Sequence, residues 1–155
     1  MDLFFSVTLT SWSKFDADQQ SKGWKMRILV GYDGSNAGKD ALELAISHAK
    51  AFKGSIAVVA SLIGGSTTEQ VEIQHAEEDM AYAKSRIEKE GIECTTHVLV
   101  RNMSPGEDVV QFAEENGIDE IIIGIKRRSK VGKLLFGSNA QYIILNAPCP
   151  VISVK

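Results

Sequence analysis

The sequence predicts an α/β fold in which helices cover both faces of a parallel β-sheet. Short apolar runs alternate with segments of helical spacing from about residue 26 to the end of the chain. Strands separated by helices pair in parallel through right-handed crossovers, and no internal repeat suggests a solenoid. The chain has 155 residues, of which 44% are hydrophobic and 24% are charged, so one globular domain is expected.

The five predicted strands are short apolar runs that end at turn residues. They cover residues 27–31, 55–63, 92–100, 118–124 and 151–154. Near-continuous apolar runs are typical of strands that are buried on both faces of a sheet. The third run alternates between apolar and polar residues, so we expect that strand to be more exposed than the others.

Four helices are predicted between these strands. The first follows Ser35, and the second runs from about residue 69 to residue 90. The third runs from Ser104 to about Asn116, and the fourth runs from about Ser138 to Asn146. The third helix has the clearest start, because Ser104 at the N-cap and Glu107 form a capping box and Pro105 occupies the first helical position. Ligands of open parallel sheets bind beyond the carboxyl ends of the strands, so the loops that follow the strands are the candidate sites.

Charge, cysteine content and hydropathy exclude several classes of protein. The formal net charge is -3, so no overall positive field attracts nucleic acid or acidic membranes. Two cysteines are too few for a disulfide framework, and no apolar run reaches the roughly 18 residues of a membrane-spanning helix. We therefore expect a cytoplasmic protein that binds neither nucleic acid nor membranes.

Residues 1–25 lie outside the alternating pattern and lack the features of a secretory signal. They are a mis-assigned translation start, an expression leader, or a true extension that pairs as an edge strand, and the sequence does not decide among these interpretations. We treat residues 1–25 as an extension of undecided status and residues 26–155 as the domain.

The loop after the fourth strand carries the main functional signal. Five of the eight residues from 126 to 133 are Lys or Arg, and Gly137-Ser138 then opens a helix. Helix N-termini attract phosphate, and Lys or Arg adds positive charge, so the loop predicts a polyphosphate cradle. The alternative is a solvated basic turn in which Ser138 is an ordinary N-cap. The P-loop and GxGxxG motifs are both missing, which argues against P-loop ATPase chemistry and NAD-dependent redox chemistry.

Asp33 follows the first strand and belongs to the same edge of the predicted sheet. Its carboxylate could accept hydrogen bonds from a nucleoside or hold a metal that bridges phosphates. Equally, Asp-Gly-Ser is typical of a turn in which the aspartate bonds to its own backbone. His75 and Asp79 lie one helical turn apart, with Glu72 one turn before His75, and could hold a metal, but we predict no metal site because no further ligand is visible.

Three motifs resemble the universal stress protein family, and the resemblance covers about residues 26–155. The motifs are MRILVGYDGS at 26–35, GSNAQ at 137–141 and APCPVISVK at 147–155. The resemblance implies a Rossmann-like fold of the adenine nucleotide alpha hydrolase type, with strand order 3-2-1-4-5. In that order the strand sequence reverses between the first and fourth strands, which places a ligand crevice there.

ATP-binding members of the family carry Gly, two residues, Gly, nine residues, Gly, and then Ser or Thr. Gly124 and Gly137-Ser138 match the two ends of this signature, and Arg127 replaces the second glycine. The resemblance implies that the nucleotide contacts Gly31, Tyr32, Asp33, Ser61, Gly124, Arg127, Gly137, Ser138 and Asn139. Asp33 matches the residue that contacts the nucleoside, and Ser61 matches a position that lines the adenine pocket. Arg127 either crowds the turn or supplies a phosphate partner in place of a backbone N–H.

The function implied is a small regulatory domain that binds ATP, with or without Mg²⁺. The alternative is an interaction module of the same fold that binds no nucleotide, for which Arg127 is the best support. Enzymatic activity stays open, and we expect no more than weak ATP hydrolysis. The family resemblance and the apolar last strand also predict a homodimer that pairs through residues 151–154.

Overall fold

Strand and helix alternate through the part of the chain that the structure describes. The computed structural model describes residues 23–125 and 137–155. The elements in these ranges are β1 (Arg27–Gly31), α1 (Asn36–Phe52), β2 (Ser55–Leu62), α2 (Glu69–Glu88), β3 (Cys94–Val100), α3 (Pro105–Glu115), β4 (Glu120–Gly124), α4 (Ser138–Asn146) and β5 (Val151–Val154). The extension and the basic loop discussed above therefore lie largely outside the described residues.

The strands form one parallel sheet in the order β3-β2-β1-β4-β5. This result confirms the predicted fold class and strand order. β1 lies at the centre, and all seven residues of β3 at one edge are only partly buried or exposed, as the alternating sequence predicted.

Alternate residues of the central strands pack against two different helical layers. Ile28 and Val30 of β1 belong to the core beneath α1 and α2, together with Leu42. Leu29 belongs to the core beneath α3 and α4, together with Phe112. This alternation follows from the two-residue period of a strand, and it explains why β1 is apolar at successive positions.

β4 begins two residues later than predicted, because the preceding residues close α3. The Ile118 N–H donates to the Ala113 carbonyl at 3.0 Å, and Gly117 adopts a positive φ of 56°. A glycine in this conformation commonly ends a helix. The bond to Ala113 uses the N–H that Ile118 could otherwise have donated to the sheet. The other strand and helix boundaries agree with the predictions to within two residues. No helix within the described ranges is long and apolar enough to cross a membrane.

Candidate functional site

The loop after β1 is a tight turn that caps α1. The Asp33 Oδ1 atom accepts a hydrogen bond from the Ser35 N–H at 3.0 Å and another from the Ser35 hydroxyl. The Ser35 Oγ atom accepts in turn from the Gly38 N–H at 3.1 Å. The interpretation of Asp33 as a residue that bonds to its own backbone turn is confirmed. The turn also holds the exposed Asp33 at the carboxyl edge of the sheet, where the ligand-binding interpretation requires it.

Tyr32 lies before this turn with its ring in the core beneath α1 and α2. The residue is only 3% exposed, and its hydroxyl has no hydrogen-bond partner among the described residues. Burial raises the pKa of Tyr32 to about 12, and the charges of Asp79, Tyr82 and Asp33 act in the same direction. The structure thus places the predicted site residue Tyr32 behind the turn, with its ring in the core.

Asp79 of α2 lies above the same turn. A Cβ atom added to Gly34, whose φ is +71°, would lie 2.5 Å from the Asp79 Oδ2 atom. The positive φ favours glycine at position 34, whereas the Asp79 carboxylate is the end of a side chain that can move aside. The sequence pattern suggested Asp79 only as a metal ligand. No group of three or more His, Cys, Asp or Glu residues in the described part of the chain is placed to hold a metal ion.

The carboxyl end of β4 lies directly against the first turn of α1. A Cβ atom at Gly124 would lie 2.4 Å from the carbonyl carbon of Ala37 and 2.6 Å from the Gly38 nitrogen. Such distances are shorter than van der Waals contact, so the packing requires glycine at position 124. A Cβ atom at Gly31 would lie 3.4 Å from the Ile123 Cγ2 atom, which is an ordinary contact. The ends of β1 and β4 lie side by side, and the start of α1 packs against the end of β4.

The N-terminus of α4 follows β4 and differs from the N-termini of α1 and α3. Gly137 is its N-cap and Ser138 is its first helical residue, so the prediction of Ser138 as an N-cap is wrong. The solvated basic turn of that same alternative lies outside the described residues. No described side chain caps α4 and no acidic residue lies in its first turn, whereas Ser35 and Ser104 cap α1 and α3. A Cβ atom at Gly137 would meet nothing within 4 Å among the described residues. Backbone N–H groups at an uncapped helix start, open to approach, form a suitable place for a phosphate.

Asn139 joins α4 to the start of α3. Its Oδ1 atom accepts a hydrogen bond from the Gly106 N–H at 3.1 Å. A Cβ atom at Gly106 would lie 2.9 Å from the Asn139 carbonyl oxygen, so the two helix starts touch closely. The Asn139 side chain is therefore engaged within the protein, and only its backbone matches the predicted phosphate contact.

Ser61 lies near the end of β2 and bonds to a residue that sequence analysis did not single out. The Ser61 hydroxyl donates to the Asp108 Oδ2 atom at 2.6 Å. Asp108, in the first turn of α3, is fully buried. The Arg101 Nε atom lies 3.7 Å from the Asp108 Oδ1 atom, which has no hydrogen-bond partner in the described ranges. The available signal was the position of Asp108 one helical turn before the buried Phe112, on the same face of α3.

The structure thus brings most of the predicted site residues to the carboxyl edge of the sheet. The turn at Asp33 and the end of β4 at Gly124 meet at the start of α1, and α4 begins on the opposite face of the sheet. Ser61 lies on the face that carries α3 and α4, because it bonds to α3. Arg127 lies outside the described residues.

The family model described as "Universal stress protein family" matches residues 26–155. The chain belongs to the universal stress protein family. Universal stress protein MJ0531 of Methanocaldococcus jannaschii is 28% identical over 140 residues, which cover 83% of this chain and 81% of that relative.

Solved structures of the family agree with the fold. A universal stress protein from Archaeoglobus fulgidus is 41% identical with a TM-score of 0.77, and the match covers 85% of this chain and all of that one. A universal stress protein from Archaeoglobus fulgidus in complex with dAMP is 35% identical with a TM-score of 0.72, and the match covers 85% of this chain and 98% of that one.

Proposed function

We propose that this universal stress protein is a regulatory domain that binds ATP in a cleft between the carboxyl ends of β1 and β4. The start of α4, which no described side chain caps, carries the proposal, because its N–H groups and the positive end of its dipole suit the phosphates. The exposed Asp33 across the cleft offers a carboxylate to the ribose or the base. The relative that was solved with dAMP supports an adenine nucleotide as the ligand.

Magnesium would strengthen binding if Asp33 or the phosphates hold it, because a bound cation offsets phosphate charge. Titration with ATP in the presence of Mg²⁺ and then of a chelator separates the two contributions. We propose that turnover is no more than weak.

Isothermal titration calorimetry with ATP tests the proposal on the full chain. Asp33→Asn keeps the Oδ1 acceptor of the turn but removes the charge, and Ser138→Ala removes a hydroxyl at the start of α4. Each substitution should weaken binding by about 1–3 kcal/mol if its side chain bonds to the nucleotide. Glu77→Gln, at an exposed position of α2, is the control for the loss of one charge and should leave the affinity unchanged. Wild-type protein that shows no heat and no thermal shift at millimolar ATP would contradict the proposal.

The second candidate function is an interaction module of the same fold that binds no nucleotide. It is favoured by Arg127, which stands where the ATP-binding signature has glycine. We propose instead that the guanidinium of Arg127 contacts a phosphate, since Arg binds phosphate bidentately. Arg127→Gly then weakens ATP binding, whereas stronger binding by this variant would show that the arginine obstructs the site.

We propose that the protein is a homodimer that pairs through β5. This strand lies at the edge of the sheet, and nearby Ile144 and Leu145 of α4 are 43% and 73% exposed. Light scattering of the purified protein tests the oligomeric state.

We also propose a cytoplasmic location, because Cys94 and Cys149 are free, which suits a reducing compartment. Burial raises the pKa of both thiols to about 11.

A further inference from the structure

β3 leaves one side of its backbone open. Within the described residues it pairs only with β2, whose Ile56 N–H donates to the Glu93 carbonyl at 3.0 Å. Backbone groups alternate between the two sides of a strand, so every second residue from Glu93 onward directs its N–H and C=O groups toward β2. The residues whose groups face outward are Cys94, Thr96, Val98 and Val100.

The sequence of β3 lacks the residues that usually protect an edge strand. Lys, Pro or a bulge commonly blunts such an edge, because an open edge can pair with another chain. The strand reads CTTHVLV, and it pairs with β2 in continuous register from Cys94 to Val100. This edge therefore suits the addition of another strand.

The charges at the two ends of β3 are complementary under a two-fold rotation. Glu93 precedes the strand, Arg101 follows it, and His97 lies midway between them. When two copies of β3 pair antiparallel about His97, Glu93 of each copy stands opposite Arg101 of the other. In the same register the outward-facing backbone groups oppose one another and can bond. The opposed residues are Cys94 with Val100 and Thr96 with Val98.

The helix beside this edge also suits a second copy. One flank of α2 faces α1, because the Arg86 guanidinium donates to the Glu43 carboxylate at 2.7 Å. The opposite flank, which we call the outer flank, faces the free edge. Its exposed residues are Glu77, Ala81, Lys84 and Glu88.

The outer flank lies close to β3 and carries both signs of charge. Burial raises the pKa of the Cys94 thiol, Glu88 adds to the rise and Lys84 opposes it, which places both charges near the start of β3. α2 packs on β2 and β3, and strands are about 4.8 Å apart, so two paired copies would hold their α2 helices about 10 Å apart. Antiparallel packing about the small Ala81 brings Glu77 of one copy close to Lys84 of the other.

We infer that β3 is a self-association edge, at which a second copy of this chain pairs its own β3 antiparallel about His97. The two sheets then form one continuous sheet. This edge is opposite to β5, so the inference goes beyond the proposed homodimer. Where both edges pair, the chain forms assemblies larger than a dimer.

Disulfide cross-linking of the full chain tests the register. In a background of Cys94→Ala and Cys149→Ala, His97→Cys places two thiols at the two-fold axis, where Cα atoms about 4.5 Å apart allow a disulfide. Thr95→Cys is the matched control, because its position opposes Leu99 and the two Thr95 positions are about 13 Å apart along the strands. Mild oxidation should give at least tenfold more covalent dimer for His97→Cys.

Thr96→Pro blocks the edge without cutting the ladder to β2. The Thr96 N–H faces outward, and proline is tolerated at such positions of an edge strand. Sedimentation velocity should show that Thr96→Pro weakens this association at least tenfold. Thr96→Val keeps the N–H and should assemble as the wild type does. If Thr96→Pro fails to fold, the ratio of cross-linking at positions 97 and 95 still decides the question.

The outcomes separate this inference from the proposed function. Cross-linking at position 97 but not at 95 supports it. Absent or equal cross-linking at the two positions, or a folded Thr96→Pro variant that assembles like the wild type, overturns it. Occupation of the edge by residues 1–22 of the same chain would also prevent the cross-link. A wild-type protein that binds no ATP contradicts the proposed function alone, because the cross-link does not depend on the nucleotide or on β5.

Discussion

Replacing Tyr32 with phenylalanine should stabilise the protein, although Tyr32 belongs to its core. The residue is 3% exposed, and its hydroxyl is paired with no other described residue. An unpaired buried polar group costs about 1–3 kcal/mol of stability, and the Phe ring keeps the apolar contacts. The small void left by the oxygen offsets part of this gain. We therefore expect a net increase of about 1 kcal/mol in the free energy of unfolding, or a rise of about 2–4 °C in Tm.

The same substitution should change the stability at alkaline pH. The native pKa of Tyr32 is about 12, and the ordinary value is 10.0, so the phenol ionises more readily in the unfolded chain. The stability that the protonated Tyr32 phenol contributes is complete below pH 10 and is lost as the pH rises from 10 toward 12. The maximum loss is about 3 kcal/mol for two pKa units. Tyr32→Phe lacks this loss, so its advantage over the wild type should widen above pH 10.

Urea unfolding at pH 7 and at several values between 9.5 and 11.5 measures both effects. Tyr82→Phe is the control, because Tyr82 is 50% exposed and its hydroxyl can bond to water. A Tyr32→Phe variant that is less stable than the wild type at pH 7 would refute the reasoning, because it would mean that the hydroxyl is well paired in the folded protein.

Two further predictions concern the carboxyl edge of the sheet and can be measured by urea unfolding. Gly124→Ala should destabilise the protein by about 1–3 kcal/mol, because its Cβ would lie 2.4 Å from the Ala37 carbonyl carbon. Gly137→Ala should change stability little, and equal effects at the two glycines would contradict the packing argument. Ser104→Ala should cost about 1 kcal/mol by removing the cap of α3. Hydrogen bonds from Ser104 lower the pKa of Glu107, so stabilisation by this carboxylate is present above its ordinary pKa and lost as the pH falls through the lower native value. The stability difference between the wild type and Glu107→Gln should shrink over that acidic range, and a constant difference would contradict the assignment.

Local signals predicted most of the fold. Four consecutive residues predicted the capping box at Ser104 and Glu107, and the structure contains both of its hydrogen bonds. The residue pattern predicted parallel pairing, whereas the strand order came from the family resemblance, because nothing local says which strands are neighbours. β4 began late because Ile118, although apolar, gives its N–H to the end of α3.

The candidate site was predictable only where its residues are close in sequence. Asp33 and Ser35 form their turn within three residues, so turn chemistry indicated it. The Ser61–Asp108 bond joins β2 to α3 across 47 positions, and a carboxylate in the first turn of a helix is usually explained by the helix dipole. Only the packing of α3 on the sheet shows that Asp108 faces inward. Its partner therefore could not be predicted from spacing or composition.

The two glycines that match the ends of the ATP-binding signature do not support nucleotide binding equally. The close approach of β4 to α1 requires Gly124, so a protein of this fold that bound nothing would still need glycine there. Gly137 has no such reason among the described residues, because its Cβ would enter open space and its φ of -61° suits any residue. A side chain at position 137 would instead stand before the first N–H groups of α4, where we place the phosphates. Gly137→Ala should therefore weaken ATP binding while leaving the stability unchanged. Unchanged affinity in that variant would remove the start of α4 from the nucleotide site, whatever Gly124→Ala does to the fold.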